Sequence, residues 1–211
     1  RYPKKWKRFL DRWTEGEGNV KEILELIGYT GLITYTKHHI SHLAFAYYTS
    51  PFDSAMGVSV DGVGEEETML ACHIKDNKFT ELKKLTFPNS LGLVYSALTA
   101  YLGFKPNEGE YKMMGLAPYG DYKPFLSKVR KLISYKKSNL KCNLDVFCWN
   151  KTNKIMFNEK LPELLGIMPR LPEEPITQEH KDLAASVQKV YEEILFEIIK
   201  TICETNKERN L

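Results

Sequence analysis

The alternation of apolar and polar positions divides the chain into short elements. Residues 4 to 13 read as a basic amphipathic helix with Trp6, Leu10 and Trp13 near one face. Glu15-Gly16-Glu17-Gly18 breaks that pattern, and Asn19 caps a second helix on which Val20, Ile23, Leu24 and Ile27 recur until Gly28. Gly31 to Thr36 is β-rich and predicts a strand running straight into a helix from about His39 to Tyr48, which Ser50-Pro51 ends. Met56, Val58 and Val60 then alternate up to Asp61. Thr68 to Lys75 and Lys78 to Phe87 form two further strands around an Asp76-Asn77 turn, which points to an antiparallel addition to a mixed sheet.

Ser90 caps a helix carrying Leu91, Val94, Tyr95, Leu98 and Leu102, closed by Gly103. Residues 107 to 120 crowd acid, base, glycine and methionine into a half-helical segment. Its plain reading puts Met113 and Met114 in the core and Glu110 and Lys112 in water; the flanking glycines also allow it to line a site. Between Asp121 and Ile176 the pattern is irregular. A helix at 124 to 133 is followed by a lysine-rich turn and a proline-rich stretch, as in an insertion or cap. Thr177 caps the longest helix, with Leu183, Val187, Val190, Ile194, Ile198 and Ile202 every three or four residues. Tyr191, Leu195 and Ile199 widen its stripe, which reads as core rather than as a cofactor site. The expected organisation is a helical lead-in at 1–29, a core at 30–120, the insertion at 121–176 and a long core helix at 177–211.

Composition narrows the class. With 211 residues the chain is long enough for one large domain or two small lobes, and a net charge of +3 does not call for nucleic acid. No apolar run is long enough to cross a bilayer, and residues 1 to 6 lack the apolar core of a secretory signal, so neither a membrane nor export is expected. Cys72, Cys142, Cys148 and Cys203 form no Cys-x-x-Cys pair and read as reduced, packed thiols of a cytoplasmic protein. A start at Arg1 and a Leu211 that looks like the first residue of another strand suggest a piece of a longer protein.

The chemistry concentrates at Lys37-His38-His39-Ile40-Ser41-His42. On a helix, His38 and His42 stand one turn apart on one face, a spacing at which two imidazoles can hold one metal ion. Solvated surface histidines also occur at this spacing. Asp61, at the end of a strand, can bring a carboxylate from a second direction. The Gly62-Val63-Gly64 turn behind it can offer backbone N–H groups to a phosphate. Nitrogen and oxygen ligands without thiolate suit iron(II), manganese or zinc, and the sequence does not choose among them.

These residues resemble a known family. Residues 38 to 52, then Val60-Asp61-Gly62-Val63-Gly64-Glu65, Phe87 to Ser96, Gly109 to Gly120 and Gln178 to Gln188 are similar, in order, to the amino-terminal domain of NodU/CmcH-type carbamoyltransferases. The resemblance covers about 30–120 and 175–211. It implies an α/β fold, ribonuclease H-like or actin-like, with a mixed sheet flanked by helices and incomplete at both ends. It makes His38, His42 and Asp61 the metal ligands and puts His39 beside them, with a possible contact to substrate. Gly62, Val63 and Gly64 become the phosphate-side, cofactor-binding turn, and Glu110 and Lys112 a block near the site; His39, Glu110 and Lys112 are the catalytic candidates. It further implies a YrdC-like domain in the same parent chain. That domain makes carbamoyl-adenylate from carbamoyl phosphate and ATP, and the present domain passes the carbamoyl group to a hydroxyl of a sugar-type acceptor. A homodimer is also among the expectations. The family's first strands, a Gly-Gly-containing strand with a further Asp ligand, and the YrdC-like domain are not in this sequence, so the piece alone is expected to be inactive.

Three rivals stand beside this reading. A metallopeptidase would need the glutamate of His-Glu-x-x-His, where this chain has Ile40 after His39. An actin-like nucleotide-binding or sugar-kinase-like module would share the fold without needing the histidine pair. A non-catalytic interaction domain would use the aromatic amino-terminal helix.

Overall fold

The computed structural model describes residues 16–136, 138–152, 155–206, 208 and 210–211. The helix expected at residues 4 to 13 lies outside them. A three-stranded antiparallel sheet is central: β1 (Ser54–Gly64), β2 (Glu67–Lys75) and β3 (Lys78–Thr86), in that order. Asp76 and Asn77 join β2 to β3 with φ of 50° and 61°, the paired positive dihedrals of a tight two-residue hairpin, which Asp and Asn tolerate.

Strand alternation builds two layers on this sheet. Leu70, Cys72 and Ile74 of β2 face one way, onto Leu43 of a helix spanning His38–Tyr48. Met69 and Ala71 face the other way, into the main core with the helix Leu91–Tyr101 and the long helix Gln178–Asn206. We number the helices α1 (Gly16–Leu26), α2 (His38–Tyr48), α3 (Leu91–Tyr101), α4 (Glu110–Leu116), α5 (Lys123–Val129), α6 (Lys160–Leu165) and α7 (Gln178–Asn206). Ser90 caps α3 as expected, its hydroxyl accepting from the Leu93 amide. All six stripe residues of α7 are buried. The fold is thus mixed α/β, with a small antiparallel sheet between helices. Among the described residues no helix is long and apolar enough to cross a membrane.

Several expectations are corrected. Gly31 to Thr36 is not a strand: among the described residues no strand runs alongside it, and Leu32 is 85% exposed. The helix α1 begins at Gly16, so Asn19 lies in its first turn rather than capping it. Glycine is tolerated there because the first amides have no intrahelical partner in any case. Met114 is 54% exposed while Met113 is buried, since consecutive helical positions point about 100° apart. The helix expected to reach residue 133 stops at Val129. Ile133–Lys136 pairs instead with Asn139–Cys142 as β4 and β5, with Leu140 and Cys142 buried in the core. At the start of α7 the Thr177 amide donates to His180 Nδ1 (3.0 Å), a side-chain cap supplied from within the first turn. The four cysteines are free, and burial pushes the Cys72 and Cys142 thiols up to about 11, which makes them inert.

Beyond α7, the Asn210 carbonyl accepts from the Met56 amide (2.8 Å) and the Asn210 side-chain amide donates to the Ser54 carbonyl (2.9 Å). Both bonds lie along the edge of β1 opposite β2.

Candidate metal centre

Two local features aim the site. The first is the register of α2, which brings His38 and His42 onto one face, with ring centroids 4.6 Å apart. The second is a bulge. β1 pairs with β2 evenly from Ser54↔Lys75 to Val60↔Met69, and the next pair is Gly64↔Glu67. Residues 61 to 63 of β1 therefore stand against Thr68 alone, and the extra residues turn Asp61 toward α2.

The result is a compact set of donors. His38 Nε2 lies 2.7 Å from Asp61 Oδ2, His42 Nε2 lies 3.6 Å from the same oxygen, and the two Nε2 atoms are 3.1 Å apart. Among the described residues this is the one group of three or more His, Cys, Asp or Glu donors close enough to share an ion. Bonds of about 2.0–2.2 Å to a tetrahedral ion put its ligands roughly 3.3–3.6 Å apart, so the residues fit a metal with a small outward adjustment. A single proton on His38 Nε2 serves one of its two neighbours well, whereas one cation could use a lone pair from each of the three atoms.

Asp61 is prepared for positive charge. Burial alone would raise its pKa, but hydrogen bonds from His38 and the Gly62 amide, with the field of both imidazoles, hold it below the usual carboxylate range. The Gly62 amide donates to Asp61 Oδ1 (2.6 Å) and leaves Oδ2 toward the histidines.

The other expected site residues divide. His39 is 1% exposed; Nε2 donates to the Glu67 carbonyl (3.0 Å) and Nδ1 faces the Ser59 hydroxyl (2.8 Å). Burial, ahead of all other causes, lowers its pKa, so it is a neutral pin between α2 and the sheet rather than a substrate contact. Gly62, Val63 and Gly64 form the bulged end of β1 and not a turn; the turn lies at Glu65-Glu66. The Gly62 amide is held by Asp61, so it is not free for a phosphate, and the Gly62 carbonyl accepts from the Ser90 hydroxyl (2.6 Å). Gly64 has another use: a Cβ there would collide with the ring and Cβ of His38, so its bareness makes room for that imidazole. Lys112 is exposed, its ammonium lies 5.9 Å from the Tyr111 ring centre, and it does not line either cavity that Asp61 borders.

Glu110 borders a cavity with Asp61, but its carboxylate is engaged by the Ser96 hydroxyl (2.6 Å) and the Asn107 amide (2.8 Å). Burial would raise its pKa; these hydrogen bonds and the Gly109 amide more than offset that and lower it. Stability from this carboxylate is therefore present above the ordinary pKa of about 4.3 and is lost as pH falls through the lower folded value. Glu110→Gln should accordingly lower the urea midpoint at pH 7 and make less difference at pH 3. An equal loss at both pH values would show that charge is irrelevant there.

Two cavities meet at Asp61. One, of about 630 Å³, lies between α2, β1 and α7 and is mostly apolar. The other, of about 930 Å³, lies between the β1 bulge, α3, α4 and α7. Gln188 and Tyr191 of α7 line it, although their helix reads as core from its pattern. The available signal was a glutamine within that stripe, three residues before a tyrosine.

Comparison with known proteins places the chain in a family. The model of a family described as "Carbamoyltransferase N-terminus" matches residues 3–211. The chain is 41% identical over 173 residues, 82% of its length, to an uncharacterized Synechocystis protein, sll1178, of which that covers 28%. It is 36% identical over 172 residues to the nodulation protein NolNO of Sinorhizobium fredii, covering 80% of this chain and 23% of that one. It is 30% identical over 167 residues to the nodulation protein NolO of Bradyrhizobium diazoefficiens, covering 77% and 28%. The chain thus spans about a quarter of the length of the curated relatives it matches.

Proposed function

This chain belongs to the carbamoyltransferase N-terminus family, and from that premise we propose that it is the acceptor-side part of an enzyme that moves a carbamoyl group onto a hydroxyl. The observation that carries this reading is the convergence of His38, His42 and Asp61, whose ligand atoms all lie within 4.8 Å of one another at the head of a cavity. These three residues would hold a divalent ion, iron(II) first, with zinc or manganese as the other candidates. A bound divalent ion supplies Lewis acidity, which polarises a carbonyl or lowers the pKa of a hydroxyl.

The chain's own residues prepare that site. The Gly62 amide orients Asp61, His39 anchors α2 to β1 and β2, and Gly64 leaves space for the His38 ring. In the proposed transfer the acceptor oxygen bonds to the carbamoyl carbon. The bond from that carbon to the adenylate oxygen breaks, AMP leaves with the electron pair, and the hydroxyl proton is released. Carbamoyl-adenylate would come from carbamoyl phosphate and ATP at a YrdC-like domain of the same longer chain, and the acceptor would be sugar-like. An actin-like or ribonuclease H-like sheet is part of the same reading, supported by three antiparallel strands followed by a helix.

The test uses the full-length protein that contains this chain. With carbamoyl phosphate, ATP and hydroxylated acceptors, mass spectrometry should show a carbamoylated product, and His42→Ala should abolish it. Unchanged transfer by His42→Ala would overturn the mechanism. Nucleotide binding with no transfer, indifferent to His38→Ala, would favour the actin-like nucleotide-binding module instead.

A further inference from the structure

The overall charge of +3 conceals a separation of charge. Between Asp121 and Asp145 the sequence carries seven of its 30 lysines and arginines and none of its 27 acidic residues, so the remaining residues sum to −4. The strands β4 and β5 order part of that run. Their paired residues alternate between two faces. Ile133 with Cys142 and Tyr135 with Leu140 turn toward the core, whereas Ser134 with Lys141 and Lys136 with Asn139 turn away from it. Lys136, Asn139 and Lys141 are exposed, as is Lys131 just before β4. Among the described residues none of these three lysines forms an ion pair, whereas Lys21, Lys84, Lys105, Lys189 and Lys200 each pair with a glutamate. Lys131, Ser134, Lys141 and Asn143 line a depression of about 390 Å³, in which Asp145 is the acid. The two strands are fastened to the rest of the fold. Lys83 of β3 donates to the Ser138 carbonyl (2.5 Å), and the Cys142 amide donates to Asn89 Oδ1 (2.9 Å).

Three ammonium groups beside a hydroxyl and an amide are donors in search of anionic acceptors. Lysine, serine and asparagine side chains are the groups that contact nucleic-acid phosphates, and a two-stranded ribbon is narrow enough to enter a groove. Two other anionic partners fit less well. The centre of a specific protein interface is poor in lysine and is built on aromatic or arginine anchors. Binding in the surface of a bilayer draws on apolar groups that insert. The outward face has neither kind of group, because Ile133, Tyr135 and Leu140 all turn inward. We propose that this face of β4 and β5 binds the phosphodiester backbone of a nucleic acid through Lys131, Lys136 and Lys141. The binding is independent of base sequence, since the face offers no aromatic ring on which a base could stack. The inference stands apart from the carbamoyl-transfer reading and uses none of its residues.

The experiment is fluorescence anisotropy on the full-length protein that contains this chain. The probes are labelled RNA and DNA of one sequence and about 20 nucleotides, with poly-glutamate and phosphatidylserine vesicles as the other polyanions. At about 50 mM salt the nucleic acids should bind with Kd in the micromolar range. Counterion release gives each lysine about five-fold at 0.1 M salt, so Lys131→Gln, Lys136→Gln and Lys141→Gln combined should weaken binding about 100-fold. The slope of log K against log salt should fall by about 2 in that variant. Lys21→Gln, Lys105→Gln and Lys200→Gln combined remove the same charge elsewhere and should leave Kd within about two-fold. All six lysines are exposed, and circular dichroism checks the fold. Binding of RNA, DNA or both that depends on the first three lysines supports the proposal and names the polymer. No binding of either nucleic acid would overturn it. So would equal weakening in the two triple variants, or an unchanged Kd in the first. Tighter binding to poly-glutamate or to the vesicles would overturn it in favour of an acidic protein or a lipid surface.

Discussion

On the proposed metal reading, replacing His42 with Ala should abolish divalent-ion binding and leave the fold intact. The His42 side chain is 55% exposed on α2 and belongs to neither core cluster, so its loss costs little packing. It is, however, one of three donors, and two donors cannot complete the first shell of a transition ion without water. Metal affinity should fall at least about 100-fold, beyond the range seen when only groups supporting the ligands are removed. Cobalt(II) titration and elemental analysis measure the loss. The melting temperature of metal-free protein should stay within a few degrees of wild type, while the metal-induced rise in melting temperature disappears. Asp61→Asn should weaken binding in the same way, with the Gly62 amide still satisfied by the side-chain oxygen. Full metal occupancy in His42→Ala would end the metal assignment.

The second large effect comes from a residue with no donor atom in its side chain. Gly92, in the first turn of α3, lies against the β1 bulge: a Cβ there would stand 2.5 Å from the Asp61 carbonyl oxygen and 2.7 Å from the Gly62 nitrogen. Both neighbours are backbone and cannot rotate away. Gly92→Ala should therefore cost about 1–3 kcal/mol by overpacking. It should also weaken cobalt binding, because relief requires the bulge to move and Asp61 with it. Gly115, in α4, is the control, since a Cβ there meets nothing within 4 Å. Gly115→Ala should be neutral or stabilising by about 0.5–1 kcal/mol. Urea unfolding of the two variants makes the comparison. Equal stability of Gly92→Ala and wild type would mean that the bulge is not held as tightly as this packing requires.

The Gly92 contact also shows where reading a sequence stops. A helix over 38–48, the Asp76-Asn77 hairpin and the buried stripe of α7 follow from spacing and turn chemistry alone, because each depends on residues fewer than about ten positions apart. The pairing of His38 with His42 is of this local kind. Asp61 could be nominated as a third ligand, but its aim depends on a bulge measured against β2, and no local pattern encodes that. The same holds for His39, which lies in sequence beside the half-buried His38 and close to the exposed His42 and yet is itself buried where α2 meets β1 and β2. The Gly62-Val63-Gly64 run looks like an anion-binding turn in one dimension. The Gly62 amide is taken by Asp61, its carbonyl by Ser90 and the space beside Gly64 by His38 only because three separate elements converge there.

By itself the sequence determined that His38 and His42 share one face of a helix, which faces of α2 and α7 are apolar, and where the β2–β3 hairpin turns. Backbone periodicity and rotational preferences suffice for those features. The tertiary structure decided that β1 bulges at Asp61, that residues 31 to 36 have no strand alongside them, and that a core helix lends Gln188 and Tyr191 to a cavity. Each of these is set by which distant segment occupies the neighbouring space, a matter of long-range packing that nearby residues do not specify.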